Sequence, residues 1–120
     1  MVPLVVYVDV DVDDTLIRTS GSKRIPVSGV VEHVRALASS GAELYCWSSG
    51  GKLYAESVAV GLGIAELFAG FLPKPQVLVD DRALAQWNRL IEIHPSECGR
   101  WNAEDYQRAV AGDLKLNGPC

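Results

Sequence analysis

The sequence predicts an α/β domain, a Rossmann-like three-layer sandwich in which a mostly parallel sheet carries helices on both faces. Short runs rich in β-branched and aromatic residues alternate along the chain with stretches in which apolar residues recur at helical spacing. The length of 120 residues is that of one domain with a single hydrophobic core. We therefore expect one domain over 1–120, with its core in about 1–95 and a short polar tail over 96–120.

The first half of the chain predicts strand, helix, strand and turn in that order. Residues 4–10 are mostly β-branched and aromatic, which predicts a strand, and the Gly, Ser and Pro residues of 19–26 predict a polar loop. In 27–37 the apolar positions follow the helical period, which predicts a helix. A second strand is predicted over 42–47, and the two glycines of 48–51 predict a tight turn after it.

The second half predicts a helix, a buried strand and several weaker elements. Apolar residues at helical spacing predict a helix from about Lys52, and the apolar run 76–80 predicts a buried strand just after two prolines. The remaining predicted elements are a helical turn near 64–68, a helix in 82–89, a weak strand over 90–93 and a helix over 102–110 with Asn102 as its N-cap.

Composition and charge exclude several classes of protein and partner. The net charge of −4 and the lack of a basic stripe argue against a nucleic-acid backbone as the default partner. Three widely spaced cysteines without a CxxC pair argue against a disulfide framework or a structural zinc site. No apolar stretch approaches the ~20 residues that cross a bilayer, so no membrane partner is expected. These features together predict a reduced, cytoplasmic protein.

Polar residues fall at the carboxyl ends of three predicted strands, at Asp11, Ser48 and Asp80. In parallel sheets of this class, ligands bind beyond that edge. Asp11 opens the acidic stretch DVDDTL, and Asp80 belongs to the pair Asp80-Asp81. Crowded carboxylates repel one another unless a cation lies between them, and Mg²⁺ prefers such oxygen ligands. A Mg²⁺ ion held by few carboxylates usually completes its shell with phosphate oxygens, so the residues predict phosphoryl chemistry.

Three motifs resemble those of the haloacid dehalogenase (HAD) superfamily, in the family's order and over about residues 4–82. VDVDDTL resembles its first motif, DxDx(T/V)L at the end of the first strand. LYCWSSGG resembles its second motif, a Ser or Thr that ends the next strand, and VLVDD resembles its fourth motif, an acidic pair that ends a later strand. The resemblance implies a HAD-like fold and a Mg²⁺-dependent phosphatase that works through an aspartyl-phosphate intermediate.

The resemblance also implies roles for individual residues. Asp11 would be the nucleophile, and Asp13 would be the general acid for the leaving oxygen and then the general base for water. Magnesium would be held by Asp11, by the backbone carbonyl of Asp13, and by Asp80 or Asp81. Ser48 would hydrogen-bond a phosphoryl oxygen, with Ser49 as the alternative in the same turn.

The third motif of the family is a lysine that neutralises nucleophile and phosphate, and two lysines compete for this role. Lys74 in LPKP resembles the motif locally, but it precedes Asp80 by only six residues, where the family places a helix. If the intervening residues are extended, Lys74 lies up to ~20 Å from the catalytic edge. Lys52, beside the serine-glycine turn, is the alternative phosphate-binding lysine.

The register of the first motif has two readings. Asp9 and Asp11 have the same spacing as Asp11 and Asp13, but only the second register places Thr15 and Leu16 where the motif has them. Asp9 then shares a face of the strand with Asp11, and the sequence assigns it no role.

The spacing of the motifs leaves no room for the inserted cap domain that encloses small substrates in many relatives. An open site needs another way to exclude water, which suggests a large or macromolecular phosphorylated substrate or a homo-oligomer. A HAD-fold binding or regulatory module, with retained metal ligands and little turnover, is the alternative function.

Overall fold

The computed structural model describes residues 5–87, 89–112 and 116. Five strands and three helices lie in these ranges: β1 (Tyr7–Asp11), β2 (Ile17–Ser20), β3 (Lys23–Pro26), α1 (Ser28–Ser39), β4 (Glu43–Ser48), α2 (Lys52–Gly61), β5 (Phe68–Pro73) and α3 (Ala103–Val110). Single 3-10 turns occur at Ala65–Leu67, Leu84–Gln86 and Pro95–Glu97. The predicted strand at 4–10, the helix at 27–37, the strand at 42–47 and the helices near 52 and 102–110 are therefore confirmed within the described residues.

A three-stranded parallel sheet in the order β1-β4-β5 forms the centre of the molecule. The carboxyl ends of its strands lie together, because Asp11 is in register with Trp47 and Ser48 is in register with Pro73. The register of β4 and β5 shifts by one residue after Leu44, which pairs with Phe68, so that Tyr45 pairs with Gly70. This mixed α/β architecture with a parallel sheet confirms the predicted fold class at that level.

The two helices that follow β1 and β4 pack on the same face of the sheet. Both connections step in one direction across the sheet, and right-handed crossovers of that kind place their helices on one side. The buried residues of the strands and of both helices accordingly form a single cluster, whose members include Val10, Leu44, Cys46, Val30, Val34, Leu37, Ala55, Val58 and Ala59. The opposite face carries Tyr7, which is 70% exposed. The described residues thus form two layers, where the sequence predicts three.

Residues 17–26 form a β-hairpin, where the sequence predicts a polar loop over 19–26. Strands β2 and β3 pair antiparallel, and Ser20 faces Lys23 across a two-residue turn. Gly21 has a φ of 61° and the following Ser22 does not have a positive φ, which is the pattern of a type II′ turn. This turn matches the twist of the paired strands, and Gly-Ser is one of its sequence signals.

The predicted strand over 76–80 is wrong, and the third strand of the sheet is β5 instead. Residues 76–80 have no strand structure, and Val77 and Val79 are 80% and 95% exposed. The run Phe68–Pro73, which was not predicted as a strand, pairs along β4 and takes the edge position. Gly70 and Pro73 weaken the strand signal of this run. A side-chain Cβ at Gly70 would lie 3.3 Å from the ring of Tyr45, so glycine there lets the two strands approach.

The C-terminal part packs against α1 through α3. Asn102 caps α3 as predicted: its Oδ1 accepts a hydrogen bond from the Asp105 amide at 2.9 Å, and Asp105 Oδ2 accepts one from the Asn102 amide at 2.9 Å. His33 Nε2 of α1 lies 2.8 Å from the Tyr106 hydroxyl. The predicted helix in 82–89 is only the turn Leu84–Gln86 among the described residues, and 90–93 is not a strand. None of the described helices is both long and apolar enough to cross a membrane.

Candidate active site

The carboxyl edge of the sheet gathers three of the residues predicted for the site. Asp11 is the last residue of β1, Ser48 is the last residue of β4, and Lys74 directly follows β5. The Lys74 amide donates to the Ser48 carbonyl at 2.9 Å, so the backbone of Lys74 continues the pairing of β5 with β4. The edge that binds ligands in parallel sheets therefore carries an acid, a hydroxyl and a cation.

Asp11 and Asp13 flank a turn that Val12 and Leu16 anchor. Both apolar side chains are fully buried. The Val12 carbonyl accepts hydrogen bonds from the amides of Thr15, Leu16 and Ile17 at 3.2, 2.9 and 3.2 Å. Asp13 is exposed and the Asp11 side chain is partly exposed, so both carboxylates beside this turn are accessible to solvent.

Asp14 is a turn residue, as its position in the motif suggests. Its φ of 60° is left-handed, a conformation that Asp and Asn adopt more readily than other non-glycine residues. Its amide donates to the Ile17 carbonyl at 2.8 Å, which closes the turn.

Lys74 reaches Asp11, which answers the question that the sequence spacing leaves open. Lys74 Nζ lies 3.3 Å from Oδ1 of Asp11, and Thr15 Oγ1 donates to Oδ2 of the same carboxylate at 3.2 Å. The distance argument from the sequence fails because it assumes a strand over 76–80, whereas Lys74 itself follows a strand of the sheet. Lys52 is exposed at the start of α2, and no ion pair between it and Asp11 occurs among the described residues.

Ser48 is buried in the turn that opens α2. The residue is 1% exposed, and its Oγ accepts a hydrogen bond from the Gly50 amide at 3.0 Å. This bond leaves the Ser48 hydroxyl proton for another acceptor. Ser49 is exposed in the same turn. Gly51 has a φ of 100°, a conformation that glycine adopts at no steric cost, and the α2 helix begins at the next residue.

Asp13 has a partner, Tyr54, that nothing in the sequence indicates. Tyr54, in the first turn of α2, donates its hydroxyl to Oδ1 of Asp13 at 2.7 Å. This hydrogen bond raises the pKa of Tyr54, with a smaller contribution from burial. The guanidinium of Arg24, on β3, lies 5.2 Å from the centroid of the Tyr54 ring, within the range of a cation–π contact. The hairpin is thereby linked to the second aspartate of the motif.

The predicted magnesium ligands are not all brought together in the part of the chain that the structure describes. No three Asp, Glu, His or Cys side chains there are grouped so that they could hold a metal ion. Asp80 Oδ1 accepts a hydrogen bond from the Arg82 amide at 2.9 Å, within its own loop. Asp80 and Asp81 therefore do not complete a ligand set with Asp11 and Asp13, and magnesium remains a prediction from the sequence.

Two further polar side chains lie on the strands that lead to this edge, those of Asp9 and Cys46. Asp9 lies opposite Tyr45 on the neighbouring strand, and partial burial raises the pKa of Asp9. Cys46 is fully buried, and burial raises the pKa of its thiol to about 12, so the thiol stays protonated and unreactive at neutral pH. Cys46 is therefore a core residue.

Comparisons of the chain with protein-family models, with curated proteins and with solved structures find no match.

Proposed function

We propose that the protein is a phosphatase of the HAD type, in which Asp11 is the nucleophile. The observation that supports this most strongly is the contact of Lys74 with Asp11 at the carboxyl edge of the sheet. A cation at this distance lowers the repulsion between a carboxylate and an incoming phosphate, which is what the family's lysine provides. Supporting residues stand beside it: Thr15 fixes the second oxygen of Asp11, and Ser48 ends the adjacent strand.

The chemistry proceeds in two steps. An Asp11 oxygen attacks phosphorus and forms an aspartyl-phosphate, while the bond from phosphorus to the leaving oxygen breaks and Asp13 gives that oxygen a proton. Water then attacks the phosphorus of the intermediate, Asp13 takes its proton, and Asp11 and inorganic phosphate are released. Lys74 stabilises the negative charge of the carboxylate and of the phosphoryl oxygens in both steps. When bound, Mg²⁺ would add further shielding between the nucleophile and the phosphate.

The substrate we propose is a phosphoester large enough to cover an open site. The chain between Asp13 and α1 forms only the short β2-β3 hairpin, and three residues connect β4 to α2. Neither connection contains a domain that could close over a small substrate. A macromolecular phosphate or a second subunit would then exclude water from the site.

The test is the hydrolysis of 4-nitrophenyl phosphate and of a panel of phosphoesters, with Mg²⁺ and with a chelator. We expect Mg²⁺-dependent turnover in the wild-type protein and none with Asp11→Asn. The matched control is Asp14→Asn, which changes another carboxylate of the same turn into a residue that tolerates its left-handed backbone. This control should keep the wild-type rate. Equal rates for Asp11→Asn and the wild type would refute the assignment of the nucleophile.

A second candidate function is a binding or regulatory module of the same fold. The position of Asp80 in its own loop favours it, because a phosphatase of this type needs the acidic pair near Asp11. Absence of turnover across the whole panel, together with binding of a phosphorylated ligand that Lys74→Met weakens, would support the module and exclude the enzyme.

A further inference from the structure

The exposed Asp13 carboxylate has one side-chain hydrogen bond within the described residues, the one from Tyr54. An exposed aspartate without a partner samples several rotamers, and each rotamer aims its oxygens differently. The 2.7 Å bond to Oδ1 selects one of them. It also occupies Oδ1 and leaves Oδ2 for proton transfer.

Two neighbours hold the Tyr54 ring where it can make this bond. A Cβ at Gly50 would lie 2.8 Å from Cδ2 of the ring, closer than real contacts allow, so the absence of a side chain at Gly50 makes room for Tyr54. Arg24 contacts the ring from the hairpin, at 5.2 Å from its centroid. The position of the hydroxyl is thus determined by the β4-α2 turn and by the hairpin together.

We propose that Tyr54 is a positioning residue for Asp13, which it orients for proton transfer to the leaving oxygen. This inference rests on the proposed function. As the bond from phosphorus to the leaving oxygen breaks, the proton moves from Oδ2 of Asp13 to that oxygen. In the second step a proton returns from water to Oδ2. Tyr54 donates its hydrogen to Oδ1 and takes no part in the proton transfer itself.

If Tyr54 has this role, the loss of rate on its replacement should depend on the leaving group of the substrate. An alkoxide is a poor leaving group and needs its proton while the bond breaks, whereas 4-nitrophenolate leaves readily without one. Loss of the hydroxyl in Tyr54→Phe should therefore slow the cleavage of alkyl phosphates much more than that of 4-nitrophenyl phosphate. A merely structural role would slow both alike.

The experiment measures kcat/KM for a series of aryl and alkyl phosphates. This parameter reports the steps up to phosphoryl transfer, so the later hydrolysis of the intermediate does not affect it. The variants are Tyr54→Phe and the control Tyr45→Phe, which removes a tyrosine hydroxyl that also bonds a carboxylate, that of Glu43, on the strand β4. We expect Tyr54→Phe to lose about tenfold or more on an alkyl phosphate and less than about threefold on 4-nitrophenyl phosphate. Tyr45→Phe should show no dependence on the leaving group.

The outcomes separate this inference from the proposed function. Equal losses on all substrates, in a protein whose wild type is active, would overturn the role of Tyr54 and leave the phosphatase intact. A wild type without turnover on the whole series would overturn both.

Discussion

Replacing Lys74 by methionine should separate the contribution of this lysine to the reaction from its contribution to stability. The variant keeps much of the side-chain length but removes the charge that lies 3.3 Å from Oδ1 of Asp11. Coulomb's law at 3.3 Å gives about 1.3 kcal/mol in bulk water and about 5 kcal/mol at an effective dielectric constant of about 20. The value that applies depends on how much water surrounds the pair.

In the free protein the pair is well hydrated, because 41% of the Lys74 side chain and 31% of the Asp11 side chain are exposed. Pairs of this kind contribute about 0.2–1 kcal/mol to folding. In the proposed reaction, a bound phosphoester would displace this water and add negative charge, so the lysine would contribute more to the transition state than to the fold. Removing one such stabilising group at a reacting centre typically lowers the rate about 100-fold or more.

We therefore expect Lys74→Met to lower kcat/KM about 100-fold and the free energy of unfolding by less than about 1 kcal/mol. The assays are hydrolysis of 4-nitrophenyl phosphate and urea denaturation in the same buffer. Lys52→Met is the comparison variant, because Lys52 was the alternative predicted from the sequence, and its effect should be much smaller. A loss with Lys52→Met as large as that with Lys74→Met would refute the reasoning. A loss of rate in Lys74→Met that is fully explained by the fraction of unfolded protein would also refute the reasoning.

Three other changes test the turn that carries the aspartates, the opening of α2 and the contact of α1 with α3. Gly50→Ala should displace the Tyr54 ring and lower stability by about 1 kcal/mol, with a larger loss of rate on alkyl than on aryl phosphates, as measured by urea denaturation and kcat/KM. Asp14→Val should cost about 1–2 kcal/mol relative to Asp14→Asn because of the left-handed backbone, and Asp14→Gly should not destabilise; thermal unfolding compares the three. Burial lowers the pKa of His33 from its ordinary 6.5, so below about pH 6.5 the unfolded chain binds a proton that the folded protein resists. The free energy of unfolding should therefore fall between pH 7.5 and 5.5, and urea denaturation should show a smaller fall for His33→Gln, which can still bond Tyr106.

The sequence predicts the first part of the fold well because its signals are local. The strand that ends at Asp11 and the strand that ends at Ser48 are apolar runs followed by polar turns, and the helices after them have one apolar face. The turn chemistry is equally local, since Gly51 opens α2 where the glycines predict a turn. Elements of this kind can be predicted because their own residues show both the hydrophobic periodicity and the turn signals that mark where the element ends.

The third strand could not be predicted in this way, because two candidates compete for one place in the sheet. The run 76–80 has the stronger composition, with three consecutive apolar residues, yet it lies exposed. Phe68–Pro73 contains a glycine and ends in proline, and only its fit against Tyr45 explains why it pairs with β4. That fit depends on side chains distant in sequence, and the position of Lys74 depends on the same choice.

The contacts of Tyr54 and Arg24 could not be predicted from the sequence either, because they join segments that are distant along the chain. Tyr54 follows Asp13 by 41 residues, and a tyrosine in the first turn of a helix carries no signal of its own. The nearest sign is Gly50, whose missing side chain leaves room for an aromatic ring. The hairpin that carries Arg24 had a clearer sign, the Gly-Ser pair at positions 21–22, which is a signal of a two-residue hairpin turn.

The one-residue shift between β4 and β5 determines which way the chain leaves the sheet toward Lys74. If the pairing ran on from Leu44 and Phe68 without the shift, Ala69 would pair with Tyr45, and every later residue of β5 would pair one position further along β4. Since successive side chains of a strand point to opposite faces, such a slip would present the chain at Lys74 with the opposite orientation. The molecule could then keep its strands, its helices and most of its core, and still lose the contact of Lys74 with Asp11. An irregularity near the amino end of β5 thus controls which face each residue at its carboxyl end presents, and with it the approach of Lys74 to Asp11.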